Sequence, residues 1–186
     1  HSAAAELIGP ELPEGHRKYS AAGLLAPDGR IYFAPDSANR VLAIDTHSAA
    51  AELIGPELPE GMSKYSAAGV LAPDGKIYFA PGDANRVLAI DTHSAAAELI
   101  GPELQEGMCK YSAAGVLAPD GKIYFAPGGA NRVLAIDTHS AAAELIGPEH
   151  TGVGFKYSAA GLLAPDPDGK IYFVHSHLPE VLVVDP

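Results

Sequence analysis

The sequence predicts an all-β protein, a β-propeller of four-stranded antiparallel blades with four repeats in the chain. Three observations lead there. A block beginning HSAAAELIGPE returns at His1, His47, His93 and His139, a step of 46 residues. Within each block, Gly, Pro, Asn and Asp clusters cut the chain into four short apolar runs. The one run with helical propensity, Ala-Ala-Ala-Glu-Leu, is too short for a stable helix and is stopped at once by Gly-Pro. Four strands in about 40–50 residues, repeated, is the spacing of propeller blades. The chain therefore reads as one unit, 1–186, with repeats 1–46, 47–92, 93–138 and 139–186.

The second repeat gives the elements in order. The first strand is expected over Tyr65–Ala72, and it should lie innermost. Pro73-Asp74-Gly75 is a hairpin turn in which glycine supplies a positive φ. The second strand is expected over Lys76–Ala80, followed by a longer loop at 81–85. The third is expected over Arg86–Asp91, and Thr92-His93-Ser94 turns the chain again. The fourth is expected over Ala95–Ile100, before the loop 101–107 leads into the next repeat.

The order of strands sets how a ring closes. The chain starts on a fourth strand, Ala3–Ile8, and ends on a third, Val181–Asp185. The N-terminal strand is thus expected to complete the last blade and remove two sheet edges. Two closures satisfy this: a four-bladed monomer, or an eight-bladed ring of two chains that exchange N-terminal strands. The outer Ser-Ala-Ala-Ala and the inner Ser-Ala-Ala-Gly are both small, which suits closely spaced sheets and hence many blades. The expectation is the eight-bladed homodimer, a self-assembling ring with the cyclic symmetry commonest among oligomers.

The segment DGRIYFAPDSANRVLAID at 28–45 resembles the NHL repeat, with its hairpin Asp-Gly, its Ile-Tyr strand and its Asn-Arg-Val run. The order Tyr-Ser-Ala-Ala-Gly, Asp-Gly-Lys-Ile-Tyr, Val-Leu-Ala-Ile-Asp is also similar to the kelch pattern. Both resemblances imply propeller blades. Ala34-Pro35 stands where kelch has a double glycine and where NHL has Ala-Asp, so neither family's function is carried over.

Composition removes several function classes. The 186 residues carry 12 basic and 23 acidic side chains, a net charge of −11. That balance excludes a nucleic-acid partner and an anionic-membrane surface, both of which need clustered Lys and Arg. No apolar run approaches the ~18 residues of a membrane helix, so a soluble protein is expected, with its compartment undefined. The lone Cys109 excludes an internal disulfide framework. Near-identity of the repeats and the missing first Met suit a processed, truncated or engineered product. Repeats two and three differ only at Pro59/Gln105, Ser63/Cys109 and Asp83/Gly129.

Candidate sites follow from the repeat. Lys18-Tyr19, Lys64-Tyr65, Lys110-Tyr111 and Lys156-Tyr157 recur before the inner strand. Around a ring they would form a crown of ammonium and phenol groups suited to an anion, or serve packing and charge balance alone. The loops leading into each blade and the loops joining its second and third strands should share a face. The repeats vary mostly there, at His16, Arg17, Met62, Ser63, Met108 and Cys109. Asn39, Asn85 and Asn131 are expected to take the left-handed backbone, with the following Arg reaching an adjacent blade. Asp-Thr-His-Ser at 45–48, 91–94 and 137–140 holds triad residue types, but contiguous turn residues cannot converge as a triad. PDPDG at 165–169 reads as a lengthened hairpin, not a calcium loop. The last repeat departs most: His150, His175 and His177 fall in loops expected to share a face, and three imidazoles suit an adventitious divalent metal. No cofactor is expected otherwise. The function expected is a non-enzymatic binding scaffold for a protein, peptide or glycan. The alternative is a metal-binding or enzymatic propeller using the histidine corner.

Overall fold

The computed structural model describes residues 5–11, 15–151, 154–165, 167–177 and 179–186. The first sheet contains β1 (Leu24–Leu25), β2 (Arg30–Phe33), β3 (Val41–Asp45) and β4 (Ala51–Ile54). The second contains β5 (Val70–Leu71), β6 (Lys76–Phe79), β7 (Val87–Asp91) and β8 (Ala96–Ile100). The third contains β9 (Val116–Leu117), β10 (Lys122–Phe125), β11 (Val133–Asp137) and β12 (Ala142–Ile146). The last contains β13 (Leu162–Leu163), β14 (Ile171–Val174) and β15 (Val181–Val184). Each sheet is an antiparallel meander in chain order, and the last has three strands among the described residues. No described residue is helical, and the alanine-rich runs of the second, third and fourth repeats are the strands β4, β8 and β12, as expected.

The inner strand is much shorter than Tyr65–Ala72. Only Val70 and Leu71 pair, with Tyr78 and Ile77. Tyr65 is held from outside the ladder instead, its hydroxyl donating to the Arg86 carbonyl at 2.9 Å. Gly69 lies against the Phe79 ring, where an added Cβ would come within 2.6 Å of ring carbons. The glycine that ends Tyr-Ser-Ala-Ala-Gly is therefore required because an aromatic ring from the second strand sits upon it. The N-terminal strand is only partly open to inspection. Ala3 and Ala4 lie outside the described residues, and 5–8 form no strand.

The hairpin turns are as read. Ala26 N donates to Arg30 O at 2.9 Å, Gly29 N donates to Ala26 O at 3.1 Å, and Gly29 has φ +81°. This is a three-residue loop with the left-handed residue last, a position that favours glycine. Asp28 closes it twice: one oxygen accepts from Arg30 N at 3.1 Å, the other from the Tyr32 hydroxyl at 2.7 Å. The same carboxylate–phenol pair recurs at Asp74/Tyr78, Asp120/Tyr124 and Asp168/Tyr172. The Asp168 pair closes the lengthened hairpin, whose Asp166 lies outside the described residues.

The Asp-Thr-His-Ser turns are built by their own side chains. Asp45 accepts from His47 N and Ser48 N, each at 2.9 Å, and the Thr46 hydroxyl donates to Gly29 O at 2.6 Å. The left-handed residue is the alanine that follows: Ala49, Ala95 and Ala141 have φ of 56°, 55° and 55°. Asn39, Asn85 and Asn131 do not take that conformation, contrary to expectation. Their amides bond outward, Asn39 Nδ2 to Glu57 at 2.6 Å and Asn85 Nδ2 to Glu103 at 3.2 Å. The arginines also differ from expectation. Arg40 donates to the Gly55 carbonyl of its own blade at 2.9 and 3.2 Å, not to a neighbour.

The core lies between sheets. Strands β2 and β3 are apolar on both faces, the pattern of a strand sandwiched on both sides. One face of the first sheet offers Tyr32, Ala34, Val41 and Ala43. It packs on Ile77, Phe79, Leu88 and Ile90 of the second. Tyr78, Ala80, Val87 and Ala89 pack on Ile123, Phe125, Leu134 and Ile136 in the same way. Tyr124, Ala126, Val133 and Ala135 pack on Ile171, Phe173, Leu182 and Val184. Each blade thus presents small residues to the large residues of the next. At the outer strands the approach is closer still: a Cβ on Gly55 would lie 2.5 Å from Ala97 Cβ.

The tyrosines follow from this packing. Burial raises the Tyr65 and Tyr111 phenols above the ordinary 10.0, and burial followed by the Asp74 hydrogen bond raises Tyr78. Tyr19 is pushed up to about 12 by burial. A phenol whose pKa is raised by folding stabilises the native state below its unfolded value and loses that contribution as pH rises. Stability is therefore expected to fall as pH rises above about 10, the ordinary tyrosine value. Tyrosinate absorbance should appear together with unfolding measured by circular dichroism. A native chain whose tyrosines ionise near 10 would refute this.

Candidate functional site

Two sets of loops meet on one side of the blades. Asp36 N donates to Lys18 O, Gly82 N to Lys64 O and Gly128 N to Lys110 O, each at 2.8 Å, and Ser176 N to Lys156 O at 2.7 Å. These bonds tie the loop leading into a blade to the loop between its second and third strands. The expected shared face is therefore real in each repeat. Glu14 of the first lead-in loop, Gly152 and Val153 of the last, and Leu178 lie outside the described residues.

The same loops also latch blade to blade. Lys64 N donates to Asp36 O at 3.2 Å, and Ser63 N donates to the Asp36 carboxylate at 2.7 Å. That carboxylate is buried and also accepts from Ser20 Oγ and from Arg17 at 3.3 Å. In the next junction the acid moves one residue along: Cys109 N donates to Asp83 at 2.6 Å. The donating residues Ser63 and Cys109 have left-handed backbones, with φ of 54° and 46°, as does Arg17 at the same position of the first lead-in, with φ of 52°. The third junction has Gly128 and Gly129 at these positions and so has no such carboxylate. The variable loop residues are in part exchanges of this latch, a role that composition did not reveal. Its signal was the coupled change from Asp36-Ser37 to Gly82-Asp83.

The lysine–tyrosine pairs occupy the same junctions. Lys64 Nζ donates to Gly61 O at 2.7 Å and to Ser37 O at 3.3 Å, bridging its own lead-in loop and the preceding blade. Lys110 Nζ does the same with Gly107 O at 2.9 Å and Asp83 O at 3.3 Å. Burial pushes both ammonium groups down in pKa, against the pull of Asp36 and Glu60 or of Asp83 and Glu106. Lys156 is equally buried and its Nζ has no hydrogen-bond partner among the described residues. The phenols of Tyr19, Tyr65 and Tyr111 donate to the carbonyls of Arg40, Arg86 and Arg132. Lys64 and Lys110 thus serve backbone carbonyls, while Lys18, Tyr19, Lys64, Tyr65, Lys110 and Tyr111 also line cavities.

Those cavities repeat with the blades. The first, about 420 Å³, is lined by Lys18, Tyr19, Ala38, Asn39, Leu53 and Met62 among others. The second, about 350 Å³, has Lys64, Tyr65, Ala84, Asn85 and Leu99 at the matching positions. The third, also about 350 Å³, has Lys110, Tyr111, Ala130, Asn131 and Leu145. Met62 borders the first two and is 66% exposed, and Met108 on the third lead-in loop is 77% exposed. Sequence reasoning had the lead-in and loop residues but missed Leu53, Leu99 and Leu145. Their side of the outer strand could not be assigned before the register was known.

The histidines gather at one corner, two of them against Tyr157. His150 takes the place of Leu58 and Leu104, and its N–H donates to Asn131 O at 2.7 Å as theirs do to Asn39 and Asn85. Its ring meets Tyr157 edge-on at 6.0 Å. His175 meets the same phenol at 5.1 Å, and His177 lies 6.5 Å from His175. His175 Nδ1 accepts the His177 backbone N–H at 3.1 Å. Among the described residues no three His, Cys, Asp or Glu side chains come close enough to hold a metal. Nor is any helix long and apolar enough to cross a membrane.

No protein-family model matches the chain, and no curated protein matches it in sequence. Solved structures do resemble it. Hydrazine synthase of Kuenenia stuttgartiensis gives a TM-score of 0.64 at 14% identity, over 100% of this chain and 49% of that one. A catalytically inactive virginiamycin B lyase from Staphylococcus aureus with quinupristin gives 0.61 at 15% identity, over 95% and 59%. An auxiliary nutrient binding protein from Bacteroides thetaiotaomicron gives 0.51 at 14% identity, over 89% and 38%. Likeness at this identity establishes a propeller-like fold and nothing finer. The chain spans about half the length of the first two structures.

The latch supplies a direct test. Asp36→Gly leaves the Ser63 N–H without its acceptor and should cost about 1–3 kcal/mol in urea unfolding. Adding Ser37→Asp recreates the Gly82-Asp83 arrangement and should restore most of the loss. Equal stability of the single and double variants would show that the carboxylate does not join the blades.

Proposed function

We propose that the chain is a non-enzymatic binding scaffold whose loop face takes up a protein or peptide segment, and that two copies close into an eight-bladed ring. One observation carries the binding reading: the same cavity, with Lys, Tyr, Ala, Asn and Leu at matching positions, recurs in three successive blades. A repeated cavity suits a ligand that touches several blades at once. Exposed Met62 and Met108 at the rims add adaptable apolar surface. A nutrient binding protein among the structural neighbours is compatible with a binding role. No metal or cofactor is part of this reading.

The closely spaced outer strands favour eight blades over four. In a four-bladed ring adjacent sheets fan apart by a quarter turn, which the Gly55–Ala97 approach does not suit. The NHL-like or kelch-like identity of the blades stays part of this proposal, on the strength of the Asp-Gly hairpin and the Asn-Arg-Val run.

Two measurements test the proposal. Native mass spectrometry of the chain should give twice 19.2 kDa, and a monomer in dilute solution would refute the ring. Peptides selected from a displayed library against the chain should lose at least about tenfold in affinity, or about 1.4 kcal/mol, when Ala84→Trp and Ala130→Trp fill the cavities. Selected binders indifferent to both fillings would refute the binding face.

A further inference from the structure

We infer that the last blade is completed in a fixed register by the N-terminal segment of a second copy: residues 5–8 of one chain add beside β15 of the other, and the first blade of the donor covers the open face of the last. This inference rests on the two-chain ring proposed above and adds the residues that meet.

The donor segment already sits where an outer strand belongs. A Cβ on Gly9 would lie 2.8 Å from Ala51 Cβ. Gly55 stands in the same relation to Ala97, at 2.5 Å, and Gly101 to Ala143, at 2.6 Å. Gly55 and Gly101 follow directly on β4 and β8, the outer strands of their blades. The segment ending at Gly9 therefore lies on the first blade as an outer strand lies on the blade after it. No other strand pairs with that segment among the described residues. Leu7, the counterpart of Leu53 and Leu99, is fully exposed there, and Ile8 is exposed as well.

The acceptor edge is open. Strands β3, β7 and β11 each pair with an outer strand, while β15 pairs only with β14 among the described residues. An unpaired edge is a template for a strand from another chain.

The faces match as well. Val174, Val181 and Val183 of the last blade are 63%, 53% and 46% exposed, and Tyr172 lies exposed beside them. Their counterparts Tyr32, Ala34, Val41 and Ala43 are buried under the second blade. At the other end, Ile31, Phe33, Leu42 and Ile44 are only half-buried, whereas the same residues of the second and third blades are fully buried. The two end faces are the two halves of a contact that the chain makes three times internally. The contact is head to tail, and two copies related by a twofold axis make it twice and leave no end. Valines at 174 and 183 replace alanines, so the junction between copies must sit slightly wider than the internal ones.

Register follows from the internal blades. Val41, Leu42 and Ala43 pair with Ile54, Leu53 and Glu52. The corresponding pairs between copies are Val181 with Ile8, Leu182 with Leu7 and Val183 with Glu6. Charge agrees with this register. Arg30, Lys76 and Lys122 reach Glu52, Glu98 and Glu144 of their own outer strands at 3.0, 3.2 and 3.3 Å. The matching cation of the last blade is Lys170, which reaches Asp185 at 3.7 Å, and the matching acid is Glu6 of the second copy.

The test uses the full chain with Cys109→Ser, the residue that Ser63 already places in the second repeat. A Glu6→Cys chain and a Val183→Cys chain are refolded together and oxidised. A disulfide between unlike chains is expected, and a Glu6→Cys chain with a Val181→Cys chain, two residues out of register, should give far less. Dimer mass with no in-register disulfide overturns the strand exchange and leaves the ring standing. Monomer mass overturns both. A disulfide formed within one chain carrying both cysteines, at monomer mass, identifies the four-bladed closure instead. Charge reversal adds an independent readout. Lys170→Glu should weaken the dimer about two- to fivefold, as expected for an exposed ion pair, and Glu6→Lys added to it should recover the loss. Equal dimer affinities across the set would overturn the register.

Discussion

Everything in this molecule hangs on one contact, the seating of large aliphatic and aromatic side chains of one blade on the small face of the blade before. Phe79, Leu88 and Ile90 against Ala34, Val41 and Ala43 are all buried, and no sheet has a core of its own. A single four-stranded meander cannot hide both apolar faces, so a blade is stable only between neighbours. The small residues are as necessary as the large ones. Alanine at 34 and 43 lets the sheets approach to contact, and glycine at 69 leaves room for the Phe79 ring of its own sheet.

The polar parts of the fold are arranged around that contact. Hairpin aspartates pin the tyrosine hydroxyls on the second strand, so Tyr32, Tyr78 and Tyr124 are buried with their hydrogen bonds satisfied. Lysines at the head of the inner strand bring ammonium groups to carbonyls of two successive blades. Aspartates from the preceding loop cap the left-handed residues of the next lead-in. The lysine and aspartate devices hold the first two internal junctions. The third has neither the carboxylate nor a hydrogen-bond partner for Lys156 Nζ among the described residues, so the loop side is anchored most at the first two. It is free to vary where side chains point outward. Such a surface is suited to binding.

Departures from the repeat fall into two kinds. Some exchange one solution for another with the same effect, as Asp36-Ser37 does for Gly82-Asp83. Others are confined to the last blade. It carries valine for alanine on its exposed face, and histidine for leucine against Tyr157 at the junction with the third blade. At the histidine corner the rings of His150 and His175 both meet Tyr157 edge-on, where the matching tyrosines of the second and third blades share their clusters with Leu58 and Leu104.

The sequence by itself determined the repeat, the strand count, the hairpin turns and the all-β class, because these depend on local turn chemistry and on spacing along the chain. It also placed the lead-in and loop residues on a common face. It misjudged Asn39 and Arg40, whose partners are set by the path of the outer strand rather than by their own turn. It did not suggest Ala49 as the left-handed residue, since alanine has no local preference for that backbone and takes it because Asp45 and Thr46 fix the turn around it. Only the tertiary structure decided which face of each strand meets which neighbour, that Lys64 and Lys110 are committed to carbonyls, and that the cavities draw one wall from the outer strand. Those outcomes depend on register and on the approach of separate sheets, and contacts between sheets leave no periodic trace in a single chain.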